Sequence, residues 1–224
     1  MVNMGLNYTV VTILSFSILI AGIIGILRFG QIRDIYRPFI YLIWVGCMTE
    51  IVSTYFAYVY HNNLAVGTVY RLCESLLLLW FFNRLGVFKK HSKGLYLLSG
   101  IFVVIWLADN FLSSHLTQKV TFYFDIVYAL SIVLLAIRAI NDLLFTEKEL
   151  LKNPTFLICT GLVIFFTYQI IQRMFWLYGL RESVDFRRSI QGILQIINCL
   201  TNLIYALAIV WMRKRQPFTF SFDR

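Results

Sequence analysis

Six ionisable side chains sit where hydrocarbon is expected, and a seventh opens the last apolar run. Glu50 lies midway along the second apolar run of the chain, and Arg71 and Glu74 lie one turn apart near the start of the third. Asp109 ends the fourth, Asp125 lies one turn into the fifth, Arg173 sits late in the sixth, and Arg188 opens the seventh. Charged groups in a bilayer are costly, so they face a bundle interior or a cavity and mark functional sites. Amides accompany them. Gln169, Gln172 and Arg173 group on the sixth run. On the seventh, Arg188, Gln191, Gln195, Asn198, Asn202 and Tyr205 recur at intervals of 3, 4, 3, 4 and 3, which is one helical face. A lipid-facing stripe of this kind would leave its amides unpaired, so it is expected to point inward. The second run aligns Cys47, Glu50, Thr54 and His61, and the fifth aligns Thr121, Asp125 and Tyr128.

The chemistry these residues suit is binding. The expected ligand-binding set is Glu50, Arg71, Glu74, Asp125, Gln169, Gln172, Arg173, Arg188, Gln191, Gln195 and Asn198. No catalytic or metal residue and no cofactor is expected. Metal-dependent hydrolysis in a membrane needs clustered histidines. The three histidines, His61, His91 and His115, fall on opposite sides of the predicted membrane. A lipid amidase of the ceramidase type would show more, and the seventh run has no lysine for a retinal Schiff base. A nucleophile at Cys73 or Ser75 beside Glu74 would have no histidine base. The competing account of the charged groups is structural. Arg71 with Glu74, or Arg173 with Asp125, would be ion pairs that fix helix register, and the amides would knit helices together.

The elements that hold these residues are membrane helices. Hydrophobic residues make up 59% of the 224 residues and charged residues 14%, with a mean hydropathy of +0.75. Soluble domains carry about 25% charged residues, so lipid must cover the apolar excess here. Seven runs reach the roughly 20 residues that a spanning helix needs, at about 8–27, 39–60, 66–83, 95–112, 121–139, 155–178 and 189–211. The fold class is therefore all-α, a polytopic seven-helix bundle forming one domain over 1–215, with a short tail at 216–224. The first run is long for a signal peptide and has no A-x-A site after it, so it reads as an uncleaved span. The link at about 140–154 is expected to form a short amphipathic turn at the membrane surface.

The net charge of +9 reflects topology and does not point to nucleic acid. Arg28, Arg33, Arg37, Arg84, Lys89, Lys90, Lys93, Arg138, Lys148, Lys152, Arg213, Lys214, Arg215 and Arg224 fall on one side. Only Lys119, Arg181, Arg187 and Arg188 fall on the other. The positive-inside rule then puts the N-terminus outside and the C-terminus in the cytoplasm, most simply in a plasma (inner) membrane. Cys47, Cys73, Cys159 and Cys199 lie within spans without CxxC spacing and read as packing residues. Trp44, Trp80, Trp106, Trp176 and Trp211 lie towards span ends, as an interfacial belt does. Tyr55, Tyr58, Tyr60 and Tyr178 either belong to that belt or wall a ligand site.

Pro38 precedes Arg71 by 33 residues and Pro154 precedes Arg188 by 34. This suggests a 3+1+3 parallel repeat, although helices of equal length give equal spacing without one. The layout resembles that of the sugar-transporting SWEET proteins, but the paired Pro-Gln signatures of that family are missing. The only adjacent pair is Gln216-Pro217 in the tail. With the orientation above, the charged residues gather in the outer half, over apolar inner halves such as Leu76 to Phe82. The expected geometry is a pocket opening outward, floored near Glu50 and Asn198 and closed below by aliphatic packing. The expected function is binding of a small or lipidic ligand by a non-enzymatic sensor or receptor, with the bilayer around it and a cytoplasmic or membrane protein partner. A small-molecule transporter, with Glu50 as proton carrier, and a structural subunit without ligand are the alternatives.

Overall fold

The computed structural model describes residues 8–89, 92–112, 122–145, 149–177 and 184–212. These residues form helices and no β-strand. Seven stretches are long and apolar enough to cross a membrane: Thr12–Gln31, Asp34–Tyr60, Leu64–Leu85, Lys93–Phe111, Tyr123–Leu144, Pro154–Phe175 and Ser189–Trp211. They coincide with the seven predicted runs. Leucine, isoleucine and phenylalanine side chains stand exposed along them, for example Leu27, Ile51, Leu97, Leu134 and Leu203. An aqueous protein does not leave so much apolar surface uncovered. The chain is an integral membrane protein.

The first span is two helices, α1 (Tyr8–Ser15) and α2 (Ile18–Arg28), where the sequence predicts one. Between them the hydrogen bonds tighten: Ser17 N–H donates to Leu14 at 3.2 Å, Leu19 to Phe16 at 3.0 Å and Ile20 to Ser17 at 3.2 Å. These are i to i+3 bonds inside an i to i+4 ladder. The second span is α3 (Arg37–Tyr60), with proline in its first turn, where no hydrogen bond is lost. The third, α4 (Leu64–Leu85), stops at Gly86, whose φ of +90° suits glycine. Val87 N–H then reaches back to Phe82 at 3.1 Å and Gly86 N–H to Asn83 at 3.0 Å, which closes the last turn.

The fourth span is α5 (Ser92–Leu107), which widens into a π-turn at Ala108–Leu112. The fifth is α6 (Phe122–Leu144) and the sixth α7 (Pro154–Leu177). Asn153 caps α7, its Oδ1 accepting from Thr155 N–H at 2.9 Å. The seventh span is α8 (Val184–Trp211). In the link before α7, a 3₁₀ turn spans Leu150–Lys152 and a Lys152–Glu149 ion pair measures 3.0 Å. Residues 140–144 of that predicted surface turn belong instead to α6, and 146–148, like the tail at 216–224, lie outside the described residues.

The helices pack as a ring: α1 and α2 on α8, α8 on α7, α7 on α6, α6 on α4, α4 on α3, and α3 back on α2. Helix α5 stands outside this ring, against α4 and α6. Close approach at the α2–α3 and α7–α8 seams depends on glycine. A Cβ at Gly46 would meet Ile18 at 2.6 Å, and one at Gly161 would meet Tyr205 at 2.8 Å. Small residues at such seams are how membrane helices gain packing contact.

One end of the ring is sealed, the end that carries Arg28, Arg37 and Arg84. There Phe39 packs edge-on against Tyr205 at 5.0 Å between ring centres and against Phe81 at 5.6 Å. Phe39, Ile40, Leu78, Phe81 and Phe82 are all fully buried. Tyr36 and Thr155 share a hydrogen bond of 3.0 Å, which joins the α3 entrance to α7. Arg28 donates to the Val210 carbonyl at 2.6 Å, joining α2 to α8.

Candidate functional site

A cavity of about 250 Å³ lies inside the ring. Helix α3 lines it from Leu42 to Ser53, twelve residues and so about 16 Å of rise. Five helices bring polar side chains to its wall. Ser15 comes from α1, Thr49 and Glu50 from α3, Tyr70, Arg71 and Glu74 from α4, Gln169 from α7, and Asn198, Thr201 and Asn202 from α8. Leu42, Ile43, Leu162, Phe165, Phe166 and Tyr205 supply the apolar part.

The ionisable groups are not dispersed. Asp125 is fully buried and receives Arg71 Nε at 2.9 Å and an Arg173 guanidinium nitrogen at 2.8 Å, so one carboxylate ties α4, α6 and α7 together. Arg71 also donates to Thr68 Oγ1 at 3.0 Å. Glu74 accepts from Tyr70 at 3.1 Å and from Tyr128 through its other oxygen. The predicted pairing of Arg173 with Asp125 is therefore present. The predicted pairing of Arg71 with Glu74 is not. Arg71 turns to Asp125 across the helix interface, and two tyrosine hydroxyls take its place on Glu74.

Glu50 is half-buried, lines the cavity and has no ion pair or hydrogen bond with any described residue. Two further polar atoms on the wall are buried without a hydrogen-bond partner: Gln169 Oε1 and Thr201 Oγ1. Their residues are 8% and 2% exposed. Such atoms cost about 1–3 kcal/mol each when left unsatisfied, so a folded chain retains them for a reason.

The predicted binding residues divide as follows. The cavity gathers Glu50, Arg71, Glu74, Gln169 and Asn198. Asp125 and Arg173 stand behind its wall and fix Arg71. Gln172 is buried outside the cavity. Gln195 accepts from Ser15 at 3.1 Å and so serves the α1–α8 contact. Gln191 is exposed and does not face inward, contrary to the stripe reading. Seven residues of helix, about 10 Å of rise, carry it from Asn198 towards the end of the span, where water can satisfy an amide. The side chain of Arg188 lies outside the described residues.

Three other expectations need correction. Glu50 and Asn198 belong to the cavity wall, and the floor is deeper, at Leu42 and Tyr205. The closure below it is largely aromatic, because Phe39 and Phe81 fill the space between α3, α4 and α8. Tyr55, Tyr58 and Tyr60 are well exposed and take no part in the cavity. Asp109 also does other work: its carboxylate accepts the Phe124 N–H at 3.0 Å, satisfying an orphan donor at the start of α6. Thr121, His91, His115 and Tyr178 lie outside the described residues, as does the side chain of Trp176.

Neutral polar residues escaped the sequence reading. Ser15, Thr49, Ser53 and Thr201 are small hydroxyls in apolar runs and carry no charge to draw notice. Thr201 had a readable signal, since it falls three residues after Asn198 and four before Tyr205. Ser17 also takes part. Its hydroxyl accepts from Asn202 at 2.9 Å, where the first span breaks. Cys73 is exposed and Ser75 donates to the Leu72 carbonyl at 2.8 Å, so neither nucleophile stands free beside Glu74 in the cavity. Among the described residues no three histidine, cysteine, aspartate or glutamate side chains come together as a metal-ligand set. Comparison with protein-family models, with curated proteins and with solved structures finds no match to this chain.

Proposed function

We propose that this chain is a non-enzymatic membrane protein of sensor or receptor type, and that it binds a small polar ligand in the cavity at the centre of its ring. The carrying observation is the pair of buried, unpartnered polar atoms, Gln169 Oε1 and Thr201 Oγ1, facing the same cavity as the unpaired Glu50. A ligand that brings its own hydrogen-bonding groups satisfies all three. The basic residues assign the sealed end to the cytoplasm by the positive-inside rule, so the ligand enters from the opposite face of the membrane. Ligand contacts on α3, α4, α7 and α8 then bias the packing at the sealed end, where a partner protein reads the shift.

Screening small polar compounds against the protein in nanodiscs tests this reading. A compound that binds should raise the unfolding temperature, and Thr201→Val and Gln169→Leu should abolish that rise while remaining folded. If no compound shifts the wild type and both substitutions lower stability, the two side chains are structural and the reading fails.

One observation favours a transporter instead. The first span is broken at cavity depth, beside Ser17 and Asn202. Broken helices near the membrane midplane are a recurrent feature of transporter binding sites. The prolines that open α3 and α7, with Tyr36 and Thr155 bonded between them, also suit the 3+1+3 repeat. Uptake of a bound compound into proteoliposomes, lost on Glu50→Gln, decides for transport. Binding without uptake decides for a receptor.

A further inference from the structure

We propose that the cavity selects a small organic cation, an ammonium-bearing molecule, with Glu50 as its counter-charge. This rests on the binding reading above and names the class of ligand. Three ionisable side chains line the cavity: Glu50, Arg71 and Glu74. Arg71 is already committed to Asp125, which also holds Arg173. Asp125 is thus shared by two arginines across α4, α6 and α7, and Glu74 is held by the hydroxyls of Tyr70 and Tyr128. Among the described residues, Glu50 is the one carboxylate facing the space that has neither an ion pair nor a hydrogen bond. A carboxylate left alone within a membrane is expensive, and a cation beside it recovers much of that cost.

The neutral groups agree with this polarity. An ionised carboxylate only accepts hydrogen bonds, and so does the Gln169 amide oxygen. Both therefore ask for N–H or O–H donors from the ligand. An ammonium group supplies several donors and the charge together. An alcohol supplies one donor and no charge, and a carboxylate would meet Glu50 with like charge. Tyr70, Phe165 and Tyr205 add aromatic rings to the lining, and ring faces attract ammonium groups. Size bounds the molecule as well. A cavity of about 150 Å³ holds benzene, so 250 Å³ suits about ten non-hydrogen atoms.

Calorimetric titration of the full-length protein in nanodiscs tests the proposal with three probes of similar shape: phenethylammonium, 2-phenylethanol and phenylacetate. Sodium chloride in a potassium background is the fourth arm. Protein-free nanodiscs report partitioning of each probe into the lipid. The expected result is phenethylammonium binding at least about tenfold more tightly than the alcohol, with phenylacetate weakest and the preference gone in Glu50→Gln. Glu50→Asp keeps the charge and should keep the order, which guards against a folding defect in the amide variant. Equal binding of ammonium and alcohol, both lost on Gln169→Leu, overturns the cation assignment and leaves the binding reading standing. Ammonium preference that persists in Glu50→Gln places the probe elsewhere and overturns the proposal. A sodium response without ammonium preference overturns it in favour of a metal cation. Absence of binding by every probe overturns the cation proposal, whereas the binding reading falls only if the compound screen and the Thr201→Val and Gln169→Leu stabilities also go against it.

Discussion

Single residues in this chain fall into two kinds, those that are over-determined and those left wanting a partner. Asp125 belongs to the first. Replacing it with alanine leaves Arg71 and Arg173 mostly buried without their counter-charge and should cost about 3–5 kcal/mol, because breaking a buried pair leaves uncompensated charge. Unfolding in detergent should show a sharp loss, and a change under about 1 kcal/mol would show that water already reaches the pair. Thr201 belongs to the second kind. Thr201→Val keeps the shape and removes an unsatisfied hydroxyl, so it should stabilise the unliganded protein by about 1 kcal/mol while weakening binding. Destabilisation by Thr201→Val would reveal a hydrogen bond and remove one support for the site. Sequence could reveal the first kind only in part. Spacing along one helix reports which residues share a face, and it suggested Arg71 with Glu74. Which residue on another helix meets that face depends on ring order. Of the two tyrosines on Glu74, Tyr70 stands four residues back on the same helix, and Tyr128, 54 positions away, comes from that order.

At the scale of elements, seven spans were legible because lipid demands about 20 apolar residues of every crossing helix, whatever its neighbours. The break in the first span was not legible. Nothing in Leu14 to Ile18 forbids a continuous helix, and neither proline nor glycine occurs there. The break is held from outside, by the Asn202 amide on Ser17 and by Gln195 on Ser15. Ser17→Ala therefore removes one of its two ties. It should lower stability by about 1 kcal/mol, in line with interhelical hydrogen bonds in membranes. It should also slow amide exchange at Ser17 to Ile20 as the helix closes up. Unchanged exchange would mean that packing against α8, and no side-chain tie, sets the break. The glycine seams make an opposite prediction about crowding. Gly161→Val would drive a branched side chain into Tyr205, with a Cβ already at 2.8 Å, and should destabilise by about 1–3 kcal/mol. Thermal unfolding checks it, and an unchanged midpoint would show that Tyr205 can swing away.

For the whole molecule, the question is from which side the central cavity is reached. Composition alone could not answer it, because the apolar residues below the cavity are ordinary for a span. Only the ring arrangement brings Phe39 of α3, Phe81 of α4 and Tyr205 of α8 into one layer. On the proposed orientation that layer lies on the cytoplasmic side, since the sealed end is the one with Arg28, Arg37 and Arg84. These two features make a joint prediction about access. Take a variant with the native cysteines replaced and Thr49→Cys placed on the cavity wall. A small membrane-impermeant thiol reagent should label it from the outer face of right-side-out vesicles and fail to label it in inverted ones. Adding Phe39→Ala removes the ring that packs against both of the others and should admit the reagent from the inverted side as well. The same substitution leaves outer labelling unchanged, because it touches nothing above Leu42. Labelling from the inverted face before Phe39 is altered would place the opening at the arginine-rich end. The receptor reading would then lose its direction, while the cavity and its unpaired groups would still call for a ligand.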